Sequence, residues 1–432
     1  MARSPALTFS VVILNWNGRA YLEACLDALQ AQTRPAERVI LADNGSSDGS
    51  PAFVRQRYPW VEVRENGGNI GFAAGNNAAL RDVSTDAALL LNPDVVLSPD
   101  CLAALAEAMA GDPAIGIAGG KLWYPDGVTI QHGGGRITHP RAMPRHFGMG
   151  EADAGQCDQP RDVDYVIGAA LAVRRDVLGQ IGLLDEGFFL FFEDADLCAR
   201  AARAGYRVAY LPAATGIHIE SATAVRGSFS YLYRFHSGRW RYLLKHFAVE
   251  EIAGATPTEE AAWLRRAPAD ERRAAGLAYL ATRRQLPEIW AAREREGAGT
   301  VSPEARQAVD DSLATLQAAA RPDALHAGTL DRLSLAAALW APAPPVDGFG
   351  PRAVAVRLRA LWNNIATRWH MRHYVARQTE FNRLAVEQIR RYEAEANEMM
   401  ALLEEQAVIH SELQRRVQEL QARISELQVS IK

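Results

Sequence analysis

Four carboxylates and one histidine occupy places where a sheet-based chain could do chemistry. The apolar run Ala87-Ala88-Leu89-Leu90-Leu91 leads straight into Asn92-Pro93-Asp94. The carboxyl end of a buried strand in an open α/β sheet is where ligands bind. A divalent cation on a diphosphate prefers oxygen ligands, one or two carboxylates plus phosphates, and only Asp94 is anionic here; a plain chain turn explains the same tripeptide. Downstream, Phe188-Phe189-Leu190-Phe191-Phe192 precedes Glu193-Asp194-Ala195-Asp196 at a helix start. The helix dipole favours ionised carboxylates there, and one within reach of a hydroxyl can act as a general base. A helix cap is the bland alternative, but it leaves the aromatic wall unexplained. His218, in Gly216-Ile217-His218-Ile219-Glu220-Ser221, follows the last strand and would complete a metal site, although a lone histidine is more often structural.

Further polar segments follow other strands. Asn15-Trp16-Asn17-Gly18 follows the first and can wrap a base and ribose. Asp43-Asn44-Gly45-Ser46-Ser47-Asp48-Gly49-Ser50 follows the second. Asp43 there can accept hydrogen bonds from a uracil or thymine imide, or simply form an Asx-turn. Asn66–Asn77 sets small residues at a helix start, where exposed amides attract anionic or polar groups. It is neither a Walker A loop nor a GxGxxG after the first strand, which removes the usual support for ATPase and dehydrogenase readings. Taken together, these groups suggest a metal-held sugar nucleotide attacked by an activated hydroxyl.

The elements that must position them alternate. Strands are expected at Thr8–Leu14, Arg38–Ala42, Val61–Arg64 and Ala87–Leu91, and helices at Tyr21–Gln32 and Gly71–Val83. This order predicts a mostly parallel, doubly wound sheet, whose right-handed crossovers bring the loops to one edge. Pro125–Gln159, rich in Gly, His, Arg, Met and Pro, reads as a mobile loop or small hairpin near that edge. Asp164–Val173 is strand-like, Glu193–Ala204 is helical and Val208–Leu211 is a final short strand. Glu250–Trp340 is helical in composition, and Ala341–Pro351 reads as a linker.

The 432 residues allow two or three domains. A net charge of -4 and a pI near 6.2 exclude a general nucleic-acid binder. The four cysteines form no CxxC pair and fit a reducing cytosol. No signal peptide or bilayer-spanning run is evident, so a cytoplasmic protein is expected, with contact at the inner face of the cell membrane as an option. That option comes from Arg226–Phe247 and Arg352–Arg377, basic and aromatic on helical spacing, as in helices at an anionic membrane surface; packing on the catalytic domain is the competing explanation. From Asn382 an apolar heptad seam runs through Leu413, Val417, Leu420, Ile424, Leu427 and Ile431, which predicts a coiled coil about 75 Å long and a parallel homodimer.

The motifs VVILNWNG, ILADNGSSDGS, NGGNIGFAAGNNAAL, LLLNPDV and FFLFFEDADLCARAARAGYRV, with the later His218, together resemble the inverting family 2 glycosyltransferases of the GT-A fold, particularly rhamnosyltransferase-like members. The usual DxD stands here as Asn92-Pro93-Asp94. The resemblance implies an α/β GT-A domain with a Rossmann-like sheet over residues 1–247. A helical domain (248–340), the linker (341–351), a basic amphipathic helix (352–381) and the coiled coil (382–432) follow. It implies that Asp194 is the base, with Glu193 next to it, and that Asp94 and His218 hold Mn2+ or Mg2+. Asn15, Trp16, Asn17, Asp43, Asn44, Gly71, Phe72, Asn76, Asn92 and Asp94 would line the donor side, and Phe191, Phe192 and Gly168 the acceptor side. The donor would be a dTDP- or UDP-linked sugar, a deoxysugar such as rhamnose first. The acceptor would be a polysaccharide or lipid-linked glycan. A catalytically degenerate coiled-coil scaffold is the alternative, and the presence of every acid that catalysis needs argues against it.

Overall fold

The β-branched and leucine-rich runs become the centre of one sheet in the computed structural model of the chain, which describes residues 7–219 and 227–320. Strands β1 (Phe9–Asn15), β2 (Arg38–Asp43), β3 (Glu62–Glu65) and β4 (Ala87–Leu91) alternate with helices α1 (Arg19–Gln30), α2 (Ser50–Arg57) and α3 (Phe72–Leu80). Next come β5 (Val95–Leu97), α4 (Cys101–Gly111), β6 (Ile115–Trp123), β7 (Ile130–His132), the hairpin β8 (Gly135–Thr138) and β9 (Met143–His146), and β10 (Arg161–Asp162). The strand β11 (Ala170–Arg174), helices α5 (Arg175–Ile181) and α6 (Glu193–Arg203), and β12 (Arg207–His218) complete the α/β part. A helical layer follows: α7 (Phe229–His246), α8 (Val249–Ala253), α9 (Ala255–Leu264), α10 (Ala269–Arg295) and α11 (Pro303–Ala320).

The sheet order is β10-β12-β6-β11-β4-β1-β2-β3. β1 to β4 are parallel, β11 runs antiparallel to both β4 and β6, and β12 is parallel to β6. Six strands therefore share one direction, and β10, β11 and the off-path strands β5 and β7 oppose it. All five residues of β4 are buried, as a strand covered on both faces requires. Its alternate residues feed two cores: Ala88 and Leu90 join Val12 and Ile40 on one face, while Leu89 and Leu91 join Val11 and Ile13 on the other.

Two expectations need correction. The strand from Val208 does not stop at Leu211 but continues to His218. Pro212 lies in a bulge between the pairs Leu211↔Gly120 and Thr215↔Lys121, so its missing N–H breaks no ladder bond. The ladder resumes beyond it, where β12 gains a second neighbour, β5. The expected strand Asp164–Val173 begins only at Ala170, and the segment before it is irregular. For Pro125–Gln159 the mobile-loop alternative gives way to the small hairpin: the segment holds β7 and the hairpin β8–β9, which is fastened to the helical layer. The Arg141 Nε donates to Glu260 at 2.6 Å, and the Thr256 hydroxyl donates to the Pro140 carbonyl at 2.9 Å.

For the basic helix Arg226–Phe247 the competing explanation, packing on the catalytic domain, is the one the structure shows over α7. In α7, Arg239 and Lys245 are fully buried and Arg241 nearly so, because acids from other elements reach them. Glu260 meets Arg239, and Asp185 meets both Arg241 and Lys245. These cations face the protein interior, not an anionic surface. Among the described residues no helix is long and apolar enough to cross a membrane. The linker, the second basic helix, the coiled coil and the part of the helical domain after Ala320 lie outside the described residues.

Candidate active site

Strand register brings Asp94 and His218 together. β5 pairs antiparallel with the end of β12, setting His218 opposite Val95, and the Ile219 N–H donates to the Asp94 carbonyl at 3.0 Å. The His218 Nε2 then lies 3.4 Å from Asp94 Oδ1, with both side chains largely buried. The other ring nitrogen, Nδ1, sits 2.7 Å from the Gln131 amide oxygen. An amide oxygen only accepts, so Nδ1 carries the proton, and with no proton on Nε2 its lone pair is turned toward a carboxylate. Two acceptors facing each other at this distance fit a cation between them. Among the described residues no three His, Cys, Asp or Glu side chains converge on one point, so Asp94 and His218 are the candidate ligands these residues offer, and a diphosphate would supply others. A mixed imidazole and carboxylate pair suits Mn2+ better than Mg2+. Nearby, His132 Nδ1 lies 3.2 Å from His146 Nδ1. Burial, reinforced by His146 and His218, holds the His132 pKa well below the usual histidine value, which keeps its ring uncharged beside the site.

Asp194 sits in the first turn of α6. The Gly168 N–H donates to its Oδ2 at 2.8 Å and the Ala195 N–H to its Oδ1 at 2.7 Å. Burial raises the Asp194 pKa, and these two amides oppose the rise. Glu193 contrasts with it: it is 4% exposed, and its Oε2 has no hydrogen-bond partner among the described residues. Burial and then the charge of Asp194 hold its pKa well above the ordinary carboxylate range. Asp196 differs from both: burial is outweighed by Arg200, Lys245 and His246, and its pKa falls well below normal.

The two acids share one edge. Gly168, which donates to Asp194, is followed by Ala169, whose carbonyl accepts from the Asn92 N–H at 2.9 Å. Asn92 opens the turn that carries Asp94. On the other side, a Cβ on Gly168 would lie 3.2 Å from the Phe72 ring and 3.6 Å from the Asp194 Cβ. The Phe72 N–H donates to the Phe189 carbonyl at 2.7 Å. Tyr165 lies at the same edge: its ring centre is 6.1 Å from that of His132, and burial, then the charge of Asp194, push its hydroxyl pKa up.

Most of the expected donor-side residues brace loops. The Asn15 Nδ2 donates to Asp43 Oδ1 at 2.8 Å, and Asp43 accepts from the Ser46 hydroxyl at 2.6 Å and the Ser46 N–H at 2.8 Å. The Asx-turn alternative is thus realised at Asp43. The Asn44 Nδ2 donates to the Gly71 carbonyl at 3.0 Å, and the Asn76 Nδ2 to the Phe72 carbonyl at 3.0 Å. Asn17 takes a left-handed φ of 54° and accepts from the Ser47 N–H, while Trp16 stays 40% exposed. On the expected acceptor side, Phe191 and Phe192 both adopt left-handed φ values, 73° and 70°. Phe191 meets Tyr231 edge-on at 4.8 Å, and Phe192 packs on Phe235 at 5.5 Å. Sequence reasoning missed Gln131, His132 and Tyr165, since nothing in their local sequence sets them apart from loop residues.

Comparison with known proteins agrees with this geometry. The family model described as "Glycosyltransferase like family 2" matches residues 5–296. The N-acetylglucosaminyl-diphospho-decaprenol L-rhamnosyltransferase of Mycobacterium tuberculosis is 30% identical over 254 residues, 54% of this chain and 83% of the relative. The rhamnosyltransferase WbbL of Escherichia coli K12 is 24% identical over 256 residues, 54% of this chain and 92% of its own. Among solved structures, GalNAc-T7 with UDP, GalNAc and Mn2+ aligns with a TM-score of 0.47 at 15% identity, over 60% of this chain and 51% of its own. With a family model spanning more than half its length and the motif-bearing loops gathered on one sheet edge, the chain belongs to glycosyltransferase family 2, as a rhamnosyltransferase-like member of GT-A type.

Proposed function

We propose that the protein is an inverting, cation-dependent transferase that moves a deoxysugar, rhamnose first, from a dTDP- or UDP-linked donor to a hydroxyl of a lipid-linked or polysaccharide acceptor. The observation that carries this reading is the backbone path Asp194–Gly168–Ala169–Asn92, which ties the candidate base to the turn bearing Asp94. The printed name of the mycobacterial relative supports the sugar and the lipid-linked acceptor.

Asp194, steadied by the amides of Gly168 and Ala195, takes the proton of the acceptor hydroxyl. The freed oxygen forms a bond to the anomeric carbon from the face opposite the nucleoside diphosphate. The bond to the diphosphate breaks and its electron pair leaves with the phosphate oxygen, so configuration inverts. A bound divalent cation would supply charge neutralisation for the departing diphosphate. Asp94 and His218 are the residues that would hold it. Glu193 keeps its proton beside Asp194 and leaves that residue as the only base of the pair. The wall of Phe191 and Phe192 shields the hydroxyl from bulk water. The glycan product would be followed by product analysis after incubation with dTDP-, UDP- and GDP-sugars, with and without Mn2+. Transfer from dTDP-rhamnose with inverted configuration, lost on chelation, is the expected result; retained configuration or metal-independent transfer would overturn the reading.

A further inference from the structure

Gln131 lies one strand away from the two candidate cation ligands, and no motif singles it out. It is 4% exposed and occupies the middle of β7, between the pairs Trp123↔Ile130 and Leu122↔His132. Two consecutive residues of β6 thus face three of β7, which makes Gln131 the extra residue of a β-bulge. Bulges next to active sites commonly re-aim a side chain. Here the amide oxygen ends 2.7 Å from His218 Nδ1. The Gln131 backbone is held as well: its carbonyl lies 3.3 Å from His146 Nδ1. A carbonyl only accepts, so that nitrogen of His146 bears the proton.

The geometry points to Gln131 as a positioning residue for the cation site: by accepting the Nδ1 proton of His218 it fixes the ring tautomer and aims the Nε2 lone pair at the space beside Asp94. This rests on Asp94 and His218 being the cation ligands. Without an acceptor at Nδ1, a neutral imidazole is free to carry its proton on Nε2, where it would point an N–H at that space and could not bind a metal. Partners of this kind around metal-bound histidines orient the ring and raise its basicity, and their loss typically weakens metal affinity about 10–100-fold. Among the described residues no third side chain of a ligating type joins Asp94 and His218 to fix the geometry.

The test measures Mn2+ affinity of the full chain in the presence of UDP, from the electron paramagnetic resonance signal of the free ion. Gln131→Met keeps the length and removes the acceptor; Gln131→Glu keeps an acceptor. Affinity should fall about 10–100-fold in Gln131→Met and stay at or above the native value in Gln131→Glu. Nitrogen-15 spectra of the metal-free, histidine-labelled chain give a second readout: the Nδ1–H form of His218 should be present in the native protein and lost in Gln131→Met. If Gln131→Met does not fold, a loss of affinity in Gln131→Glu overturns the inference alone. Asp94→Asn and His218→Ala separate the two levels. If both lose Mn2+ while Gln131→Met binds it as tightly as the native chain, the cation site stands and the role of Gln131 falls. If both retain native affinity, the site reading falls and takes this inference with it.

Discussion

The two halves of the site are held in different ways. On the proposed cation side, Asp94 and His218 meet because β5 and β12 pair in one register, and backbone ladders do the positioning. On the side of the proposed base, Asp194 rides on α6, which side chains hold from behind. Lys245 Nζ reaches Asp185 and Asp196, each at 2.6 Å, and Glu296 at 3.0 Å, all largely buried. The Arg200 Nε donates to Asp196 at 2.8 Å. These partners come from α6, α7, the turn before α6 and the end of α10. A ladder survives most single substitutions, whereas a buried charge network fails when one member is removed. The helical layer therefore helps to hold α6, the helix that carries Asp194, in place.

The contrast can be broken or sharpened by experiment. Asp194→Asn should lower kcat about 10²–10⁴-fold, the usual contribution of a positioned base, while UDP and Mn2+ still bind; near-native turnover would move the base elsewhere. Lys245→Met should destabilise the fold by about 3–5 kcal/mol, because it strands buried carboxylates. Its kcat should fall at unchanged Mn2+ affinity, and an equal loss on both sides would erase the distinction drawn above. The third test concerns Glu260, which anchors the hairpin to the helices through Arg141 and Arg239. Burial would raise its pKa, but the two arginines outweigh it and bring the pKa from 4.5 to about 2. A folded pKa below the unfolded one gives stability that is complete above pH 4.5 and lost as pH falls toward 2. The loss amounts to about 3 kcal/mol, and urea midpoints against pH should flatten over that window in Glu260→Gln. The smallest effect is expected from Gly238→Ala in α7. A Cβ there would lie 2.5 Å from the Phe191 carbonyl oxygen, for a cost of about 1–3 kcal/mol and a kcat loss without a change in Mn2+ affinity.

The legible parts of the chain were those where local pattern and final structure coincide. Ala87–Leu91 is a strand with the expected bounds, and Glu193 opens a helix as its acids suggest. Asp94 could be assigned to the carboxyl edge because it directly follows a parallel strand, whereas Asp194 reaches that edge through Gly168, which precedes the antiparallel β11. Asp94 and His218 were paired as candidate ligands, but the strand register that joins them was hidden, because β12 runs on past Pro212 through a bulge. The cations of α7 read as a surface because their acids lie far away in sequence, 60 positions in the case of Lys245 and Asp185. Gln131 owes its place to a bulge between β6 and β7, and no periodicity announces a bulge.

Phe191 and Phe192 carry a last consequence. Two successive aromatic residues with positive φ stand where glycine would sit more easily, at about 1–3 kcal/mol of conformational strain apiece. A variant library selected for heat tolerance alone should therefore drift toward glycine at these two codons and shed turnover as it does so. The bend before the base is a place where robustness and reactivity pull the same residues in opposite directions.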